Sequence, residues 1–337
     1  MKKHPTTRKD IAKELGVSPS TVSRALKDHP DISPATKKKV NELAVSLNYK
    51  PNPIALSLRS NVTNTIGLII PEIVHHFFSS VISGIEDLAF DNGFNVLISQ
   101  SNESYYREVS SAETMLNSRV GGVLASISKT TYDLSHFENL INNDIPIVFF
   151  DRYSDDLEAD AVFIDDRKGA YMAVNHLISA GCKKIAHYAG PGNLIIGQNR
   201  LNGYLDALKD NDIEPVNELI IDCDSYQQAL METPKMLKKF PDIDGIFAVN
   251  DLTAIGAIES LKKLNKNIPD EVAVAGFTNS LISSLTDPKL TTVDQQAFEM
   301  GRIAFQMLYD RICNTEKIPT RKKELKTSLI IRQSTKK

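Results

Sequence analysis

From residue 65 onward, short apolar runs alternate with amphipathic stretches, and this alternation restricts the fold more than any other feature. The nine runs are TIGLIIP, FNVLISQ, GGVLASI, IPIVFFD, DAVFIDD, KKIAHYAGP, ELIIDCD, GIFAVND and EVAVAGF. Continuous apolar strands separated by helices predict parallel sheets that are covered on both faces. The runs divide near residue 165, so we expect an α/β body of two doubly wound lobes.

The first sixty residues are basic, whereas the remainder of the 337-residue chain is acidic. Residues 1–60 contain 12 Lys/Arg and 5 Asp/Glu, a net +7, and the rest carries −10. Such a split is expected of a protein with an anionic partner at one end, because phosphate neutralisation dominates nucleic-acid affinity. A solvated basic surface would explain the charge equally well.

The basic segment contains three short helical patterns with their own start and stop signals. Thr7 can cap a first helix, which Gly16 ends. Ser18 and Ser33 can cap a second and a third helix, each followed by proline at the first helical position. Two short helices joined by a tight turn predict a helix-turn-helix.

The second of these helices has small hydroxyl residues and an arginine on its outer face. Val22, Ala25 and Leu26 form its inward face. A small first turn lets the backbone approach base edges, and Arg24 can then present its guanidinium to guanine O6 and N7. The alternative is a small helical bundle whose serines and threonines are only caps. Spacing and charge together favour DNA binding.

The run DIAKELGVSPSTVSRAL, followed by NYKPNPIALSLRSNVTNTIGLIIP, resembles the head and hinge of the LacI/GalR family of bacterial transcription repressors. The resemblance continues through the whole chain. It implies a hinge that folds into a helix on operator DNA, where the leucine matched by Leu58 enters a base step and bends the duplex. It also implies a homodimer, since two half-sites need two heads. Pro19 departs from the family, many members of which have a hydroxyl residue there.

By this match we expect the second helix to read bases through Ser20, Thr21 and Arg24. Phosphates should be held at helix starts by Thr7, Ser18 and Ser33. The hinge should enter the minor groove with Ala55, Leu58 and Arg59.

The resemblance also implies a domain plan with a periplasmic-binding-protein-like body. We expect a three-helix helix-turn-helix head at 1–50, a hinge helix and linker at 51–63, an N-terminal effector lobe at 64–165 plus about 295–322, and a C-terminal effector lobe at 166–294 plus about 323–337.

Polar residues follow several of the apolar runs directly. Ligands of doubly wound sheets bind beyond the carboxyl ends of the strands, so these residues are candidates for a binding site. Each could instead be a helix cap or turn residue, but their recurrence after successive strands favours a polar ligand. They are Asp151, Arg152, Asn250, Asp251, Thr278 and Asn279.

Family members bind a small effector between the lobes, usually a sugar or sugar phosphate and sometimes a purine. By resemblance the effector-binding residues are Phe77, Phe78, Arg152, Arg200, Asp251, Thr278 and Gln295. Bidentate carboxylate and guanidinium groups suit paired sugar hydroxyls, and an aromatic face covers the C–H side of the ring.

Two departures from the family bear on the effector class. Leu194 and Ile196 replace polar residues of the loop that contacts purines in purine-responsive members, so a purine is disfavoured. Thr278 stands where many members have an aspartate. We expect the missing carboxylate to leave Arg152 and Arg200 less neutralised, which favours a neutral or anionic sugar.

No pattern indicates a catalytic centre, a cofactor or a metal. The three cysteines form no CxxC pair, and AGPGN lacks the spacing of a nucleotide-phosphate loop. The adjacent His75 and His76 would point about 100° apart on a helix and have no third ligand at a fitting spacing. We therefore expect a regulator that is not an enzyme. An enzyme of the doubly wound class and a sugar-binding receptor without a DNA-binding role are the alternatives.

The chain has no run of about 18 apolar residues, so we expect no membrane partner. Its first residues, MKKHPTTRKDIAKEL, have no apolar stretch behind the lysines and do not resemble a signal peptide. We expect the protein in the cytoplasm, where cysteines stay reduced.

Overall fold

A computed structural model describes residues 6–47, 49, 63–314 and 319–336. The chain divides into two compact units, with the boundary along the sequence between Thr63 and Asn64. The hinge predictions at Ala55, Leu58 and Arg59 lie outside the described residues.

The N-terminal unit is a bundle of three helices, as the sequence predicts. They are α1 (Arg8–Leu15), α2 (Pro19–Leu26) and α3 (Pro34–Ser46). One small core holds them together, because each helix turns two buried apolar residues inward. The core residues are Ile11, Ala12, Val22, Ala25, Val40 and Ala44.

The predicted start and stop signals of these helices are present. Gly16 adopts a left-handed conformation, with φ of 63°, and ends α1 while its N–H donates to the carbonyl of Ala12. The hydroxyl of Ser18 accepts from the N–H of Thr21 at 3.0 Å and so caps α2. Ser33 caps α3 in the same way.

The C-terminal unit contains two six-stranded sheets. The first sheet has the order β11-β5-β4-β3-β1-β2, and every pair in it is parallel. Its strands are β1 (Thr65–Ile70), β2 (Asn95–Gln100), β3 (Val123–Ala125), β4 (Ile147–Phe150), β5 (Asp160–Ile164) and β11 (Lys322–Leu325).

The second sheet repeats this arrangement in the order β12-β10-β9-β8-β6-β7. Its pairs are parallel except that β12 runs antiparallel to β10. Its strands are β6 (Ile185–Ala189), β7 (Ile220–Asp222), β8 (Gly245–Ala248), β9 (Ala273–Thr278), β10 (Thr291–Asp294) and β12 (Ser328–Ile330).

The nine predicted strands are β1 to β9, and the two doubly wound lobes are confirmed. The strands that the sequence analysis missed are β10, β11 and β12, which are only three or four residues long. Shortness alone does not explain this, since β3 and β7 also have three residues. The sequences of β10 and β11, TTVD and KKEL, are mostly polar and therefore lack the apolar run on which the prediction of strands depended.

Helices connect the strands and cover the sheets. They are α4 (His76–Asp91), α5 (Tyr105–Asn117), α6 (Ser135–Asn142), α7 (Asp166–Ser179), α8 (Ile195–Asp210), α9 (Tyr226–Lys239), α10 (Asp251–Lys263) and α11 (Ala297–Cys313). None of these described helices is long and apolar enough to cross a bilayer.

The chain passes between the lobes three times, after β5, β10 and β11. After the second passage, α11 returns to the first lobe and packs closely on α4. A Cβ atom on Gly84 would lie 2.0 Å from the carbonyl oxygen of Phe298, so this contact requires glycine. After the third passage β12 joins the second sheet. Since β11 ends at Leu325, this passage lies three residues beyond the expected boundary at about 322.

Candidate DNA-binding surface and ligand cleft

The first turn of α2 presents a cluster of hydroxyl groups. The Oγ of Ser18 lies 2.6 Å from the Oγ of Ser20 and 2.8 Å from the Oγ1 of Thr21. Ser18 and Ser20 are exposed, and Thr21 is half-buried. The cluster is therefore available to a partner although one of its hydroxyls also caps the helix.

Arg24 lies one turn further along α2, with its side chain 58% exposed. Its closest carboxylate is that of Asp31, at 3.9 Å, which is too far for a hydrogen bond. A guanidinium this weakly paired can reorient towards another acceptor.

The predicted phosphate contacts at Thr7 and Ser33 are exposed and also serve their own helices. The hydroxyl and N–H of Thr7 donate to the carboxylate of Asp10, at 2.6 and 2.7 Å. Ser33 accepts from the N–H of Thr36 at 3.2 Å. Capping and contact with phosphate are compatible, because helix N-termini offer further N–H donors to an anion.

A cavity of about 460 Å³ lies between the two lobes of the body. Residues that follow the carboxyl ends of strands in both sheets line it, as expected for doubly wound sheets. All seven predicted effector residues are in its lining: Phe77, Phe78, Arg152, Arg200, Asp251, Thr278 and Gln295.

Arg152 follows β4 and is held by acceptors of the first lobe. Its Nη1 donates to both carboxylate oxygens of Glu103, at 2.9 and 3.0 Å, and to the carbonyl of Ile127 at 3.2 Å. Its guanidinium lies over the ring of Phe78, 5.9 Å from the centroid. The Nε atom is buried and has no hydrogen-bond partner among the described residues, and Nη2 also has none, so the guanidinium keeps donors that its own lobe does not use.

Asp151 precedes Arg152 and is turned by a left-handed backbone, with φ of 61°. Its carboxylate has weak partners, since the Nε of Arg152 is 3.8 Å away and the Nε2 of Gln295 is 3.4 Å away. Burial raises the pKa of Asp151, and Arg152 opposes this shift. Burial also works against the Arg152 cation, but Glu103 and Asp151 outweigh it and raise the pKa of Arg152.

Arg200, in α8, is bonded within the second lobe. Its Nε and Nη2 both lie 2.7 Å from the Oδ1 of Asp166, and its Nη1 donates to the carbonyl of Val249 at 2.7 Å. The guanidinium lies 3.8 Å from the centroid of the Phe277 ring. Burial raises the pKa of Asp166 to about 6, although Arg200 stabilises its charged form.

Asp251 begins α10 directly after β8, and its carboxylate is also engaged within the second lobe. One oxygen accepts from the N–H and the hydroxyl of Ser280, both at 2.7 Å, and the other accepts from the hydroxyl of Thr292 at 2.5 Å. Burial raises the pKa of Asp251 to about 6, against the effect of these hydrogen bonds. Asp251 therefore stabilises the loop after β9 as well as lining the cavity.

Comparisons with known proteins decide the family. The model "Bacterial regulatory proteins, lacI family" matches residues 7–52, and the model "Periplasmic binding protein-like domain" matches residues 174–335. The ribose operon repressor of Halalkalibacterium halodurans is 30% identical over 332 residues, which are 98% of this chain and 97% of that protein. The chain belongs to the LacI family.

Two solved structures agree with this assignment over 98% of the chain. The lac repressor dimer bound to operator and the anti-inducer ONPF is 25% identical, with a TM-score of 0.86, over 98% of this chain and 99% of that one. The complex of the transcriptional regulator CelR with cellobiose is 28% identical, with a TM-score of 0.75 and the same coverage. The resemblance seen in the sequence is thus confirmed, and the chain is a DNA-binding transcriptional regulator.

The cleft of this LacI-family body contains three charged residues that the sequence analysis missed: Glu103, Lys129 and Asp224. Lys129 of the first lobe forms an ion pair with Asp224 of the second. The carbonyl of Lys129 also accepts from the Nδ2 of Asn193, in the second lobe, at 2.7 Å. These contacts join the lobes across the cavity.

The three missed residues follow β2, β3 and β7. Arg152 and Asp251 were selected because they are polar residues that come after a strand, and the same rule would have found these three. Within this chain both arginines have a carboxylate partner despite threonine at 278, because Glu103 pairs with Arg152 and Asp166 pairs with Arg200.

The adjacent histidines lie at the cleft and are bound to near neighbours. The Nε2 of His75 is 2.8 Å from the carboxylate of Glu72, and the Nδ1 of His76 is 3.3 Å from the hydroxyl of Ser80. Across the described ranges, no group of three His, Cys, Asp or Glu side chains could hold a metal ion.

Proposed function

We propose that this protein is a dimeric repressor that binds near-palindromic operator DNA and is controlled by a sugar or sugar derivative bound between its lobes. The exposed α2 face, with Arg24 beside a cluster of hydroxyls, is the observation that carries the DNA-binding part. The relatives named above support it, since one is a ribose operon repressor and another is a dimer on its operator.

In this proposal α2 enters the major groove. Ser20, Thr21 and Arg24 reach base edges, while Thr7, Ser18 and Ser33 hold phosphates beside the helix starts. The +7 charge of the first sixty residues supplies the attraction to the duplex that does not depend on sequence. Ala55, Leu58 and Arg59 complete the interface as a hinge in the minor groove.

The effector acts by binding two conformations of the body with different affinity. A ligand in the cleft touches both lobes, so it favours the lobe arrangement that it fits best and thereby changes the affinity for DNA. We assign Phe77, Phe78, Arg152, Arg200, Asp251, Thr278 and Gln295 to this site.

The proposed activity is binding and not catalysis, and it places the protein in the cytoplasm with its operator. The three cations of the cleft are each paired with a carboxylate, an arrangement that suits recognition. The carboxylates with the pKa of about 6, Asp166 and Asp251, are both engaged by partners of their own lobe.

The DNA-binding proposal is tested by selecting duplexes from a random pool with the full chain and then measuring Arg24→Ala. We expect selection of a near-palindrome, and for the variant a loss of about 1–3 kcal/mol confined to one position of each half-site. Lys13→Ala is the matched control, because it removes one exposed charge of α1 and should weaken binding to every sequence alike.

Selection of no sequence over random duplex would overturn the proposal and favour a sugar-binding receptor. An equal loss on all sequences in Arg24→Ala would instead assign Arg24 to a phosphate.

A further inference from the structure

Each of the three cations that line the cleft has a carboxylate partner. Arg152 is bound by Glu103, Arg200 by Asp166, and Lys129 by Asp224. No lysine or arginine of the cavity lining is therefore left with an unopposed charge for an anionic ligand.

Carboxylates also outnumber cations around the cavity. Two further acids, Asp151 and Asp251, belong to the lining, and neither forms a close ion pair with a cation beyond the three already paired. The lining thus contains four carboxylates and three cations, and Asp166, outside the lining, adds a fifth carboxylate through its pair with Arg200. A phosphate group brought into this space would meet a surplus of negative charge in a region of low dielectric.

The partial positive charge of helix N-termini favours an anionic ligand, but this effect is weaker than that of the excess carboxylates. The helices α4 and α8 begin at the cleft with no acidic residue in their first turns. Each N-terminus is equivalent to about half a positive charge, so the two together offset about one of the excess carboxylates. Their N–H groups can donate to hydroxyl oxygens as well as to anions.

We propose that the cleft selects an uncharged, polyhydroxylated ligand and that Glu103 is the residue that excludes its phosphate esters. The inference rests on the proposed function, because it concerns the effector of the same site. Glu103 has this effect because it lies within hydrogen-bond distance of Arg152, the lining guanidinium that keeps nitrogens without a partner.

The remaining groups of the cleft suit a neutral sugar. The unpaired Nη2 of Arg152 can donate to a hydroxyl, and the weakly bonded carboxylate of Asp151 can accept from one. Apolar side chains of both lobes offer surface to the C–H face of a ring, among them Phe77, Leu194 and Ile196.

The first experiment measures the thermal midpoint of the full chain with pentoses, hexoses and the phosphate monoesters of the same sugars. A ligand that binds the native state raises the midpoint. We expect at least one neutral sugar to do so and its monoester to bind about tenfold more weakly or worse. A monoester that binds more tightly than its parent sugar overturns the inference and leaves the proposed function intact. A panel in which nothing binds overturns the sugar-sensing function as well.

The second experiment compares Glu103→Gln with Glu113→Gln, which removes the same charge from an exposed position of α5 outside the cavity lining. We expect Glu103→Gln to narrow the preference for the neutral sugar over its monoester by about tenfold, and Glu113→Gln to leave it unchanged. An unchanged preference in Glu103→Gln would show that this residue does not exclude phosphate. If Glu103→Gln does not fold, the wild-type panel still decides the selectivity.

Discussion

Each lobe forms one wall of the cleft, and the two walls contain similar polar groups that differ in their hydrogen-bond partners. In the second lobe, Arg200 and Asp251 are bonded to their own lobe through most of their hydrogen-bonding atoms. In the first lobe, Arg152 has no partner for its Nε among the described residues, and the carboxylate of Asp151 has none closer than 3.4 Å. The second wall stabilises its own fold, whereas the first has hydrogen-bonding capacity left for a ligand.

This difference shows that position in a cleft does not define a residue's role. An arginine whose donors are satisfied by its own lobe contributes shape and rigidity, and its removal damages the fold. An arginine with an unsatisfied buried donor gains most when a ligand supplies the acceptor, since an unpaired buried polar group is costly. The variants below separate these two cases.

The largest effect is expected from Arg200→Met, which leaves Asp166 buried without its cation. The side chains of Arg200 and Asp166 are only 5% and 3% exposed, so we expect a loss of about 3–5 kcal/mol in the free energy of unfolding. Chemical denaturation of the full chain measures it.

Arg167→Met is the matched control, because Arg167 and Asp206 join the same two helices, α7 and α8. That pair is 57% and 35% exposed, and its loss should cost about 1 kcal/mol or less. Equal losses in the two variants would contradict the view that Arg200 is a structural element of the second wall.

Arg152→Met should weaken ligand binding and also lower stability, because it leaves Glu103, only 16% exposed, without its cation. The variant removes the free donor of the first wall, and we expect the affinity for the neutral sugar found in the panel to fall about 10- to 100-fold. The measurement is calorimetric titration, with unfolding followed in parallel. A variant that binds the sugar like wild type would show that the second wall recognises the ligand.

The sequence predicted which residues reach the cleft better than it predicted their partners. Parallel strands bring their carboxyl ends to one edge, so Arg152 and Asp251 could be selected from their positions after apolar runs. Glu103 lies 49 residues from Arg152, and β1 and β3 separate their strands in the sheet. Their pairing therefore depends on strand order and side-chain conformation, which one sequence does not reveal.

The same limit applies to the second wall and to the edges of the sheets. Asp166 is the first residue of α7, and the packing of α7 on α8 makes it the partner of Arg200. In the head, by contrast, caps and their partners are three residues apart, and the predicted helices were found with their caps at Ser18 and Ser33. Local chemistry was predictable, whereas contacts between distant segments were not.

A smaller effect is expected from the pH dependence of Asp251→Asn. Because the pKa of Asp251 is raised to about 6, the folded protein binds more protons than the unfolded chain between about pH 4 and pH 6. Its contribution to stability therefore falls as pH rises through this range. Relative to the variant, wild type should lose on the order of 1 kcal/mol between pH 5 and pH 7. Asp91→Asn, at an exposed position of α4, is the matched control.

The smallest effect is expected at the ion pair that joins the walls. Lys129 and Asp224 are 30% and 15% exposed, so Lys129→Ala should change the free energy of unfolding by about 1 kcal/mol or less. The bond from Asn193 to the carbonyl of Lys129 survives the substitution, and Asn193→Ala tests it separately. If Lys129→Ala weakened sugar binding as strongly as Arg152→Met, contact between the lobes would matter as much as recognition by the first wall, and the contrast between the walls would no longer explain binding.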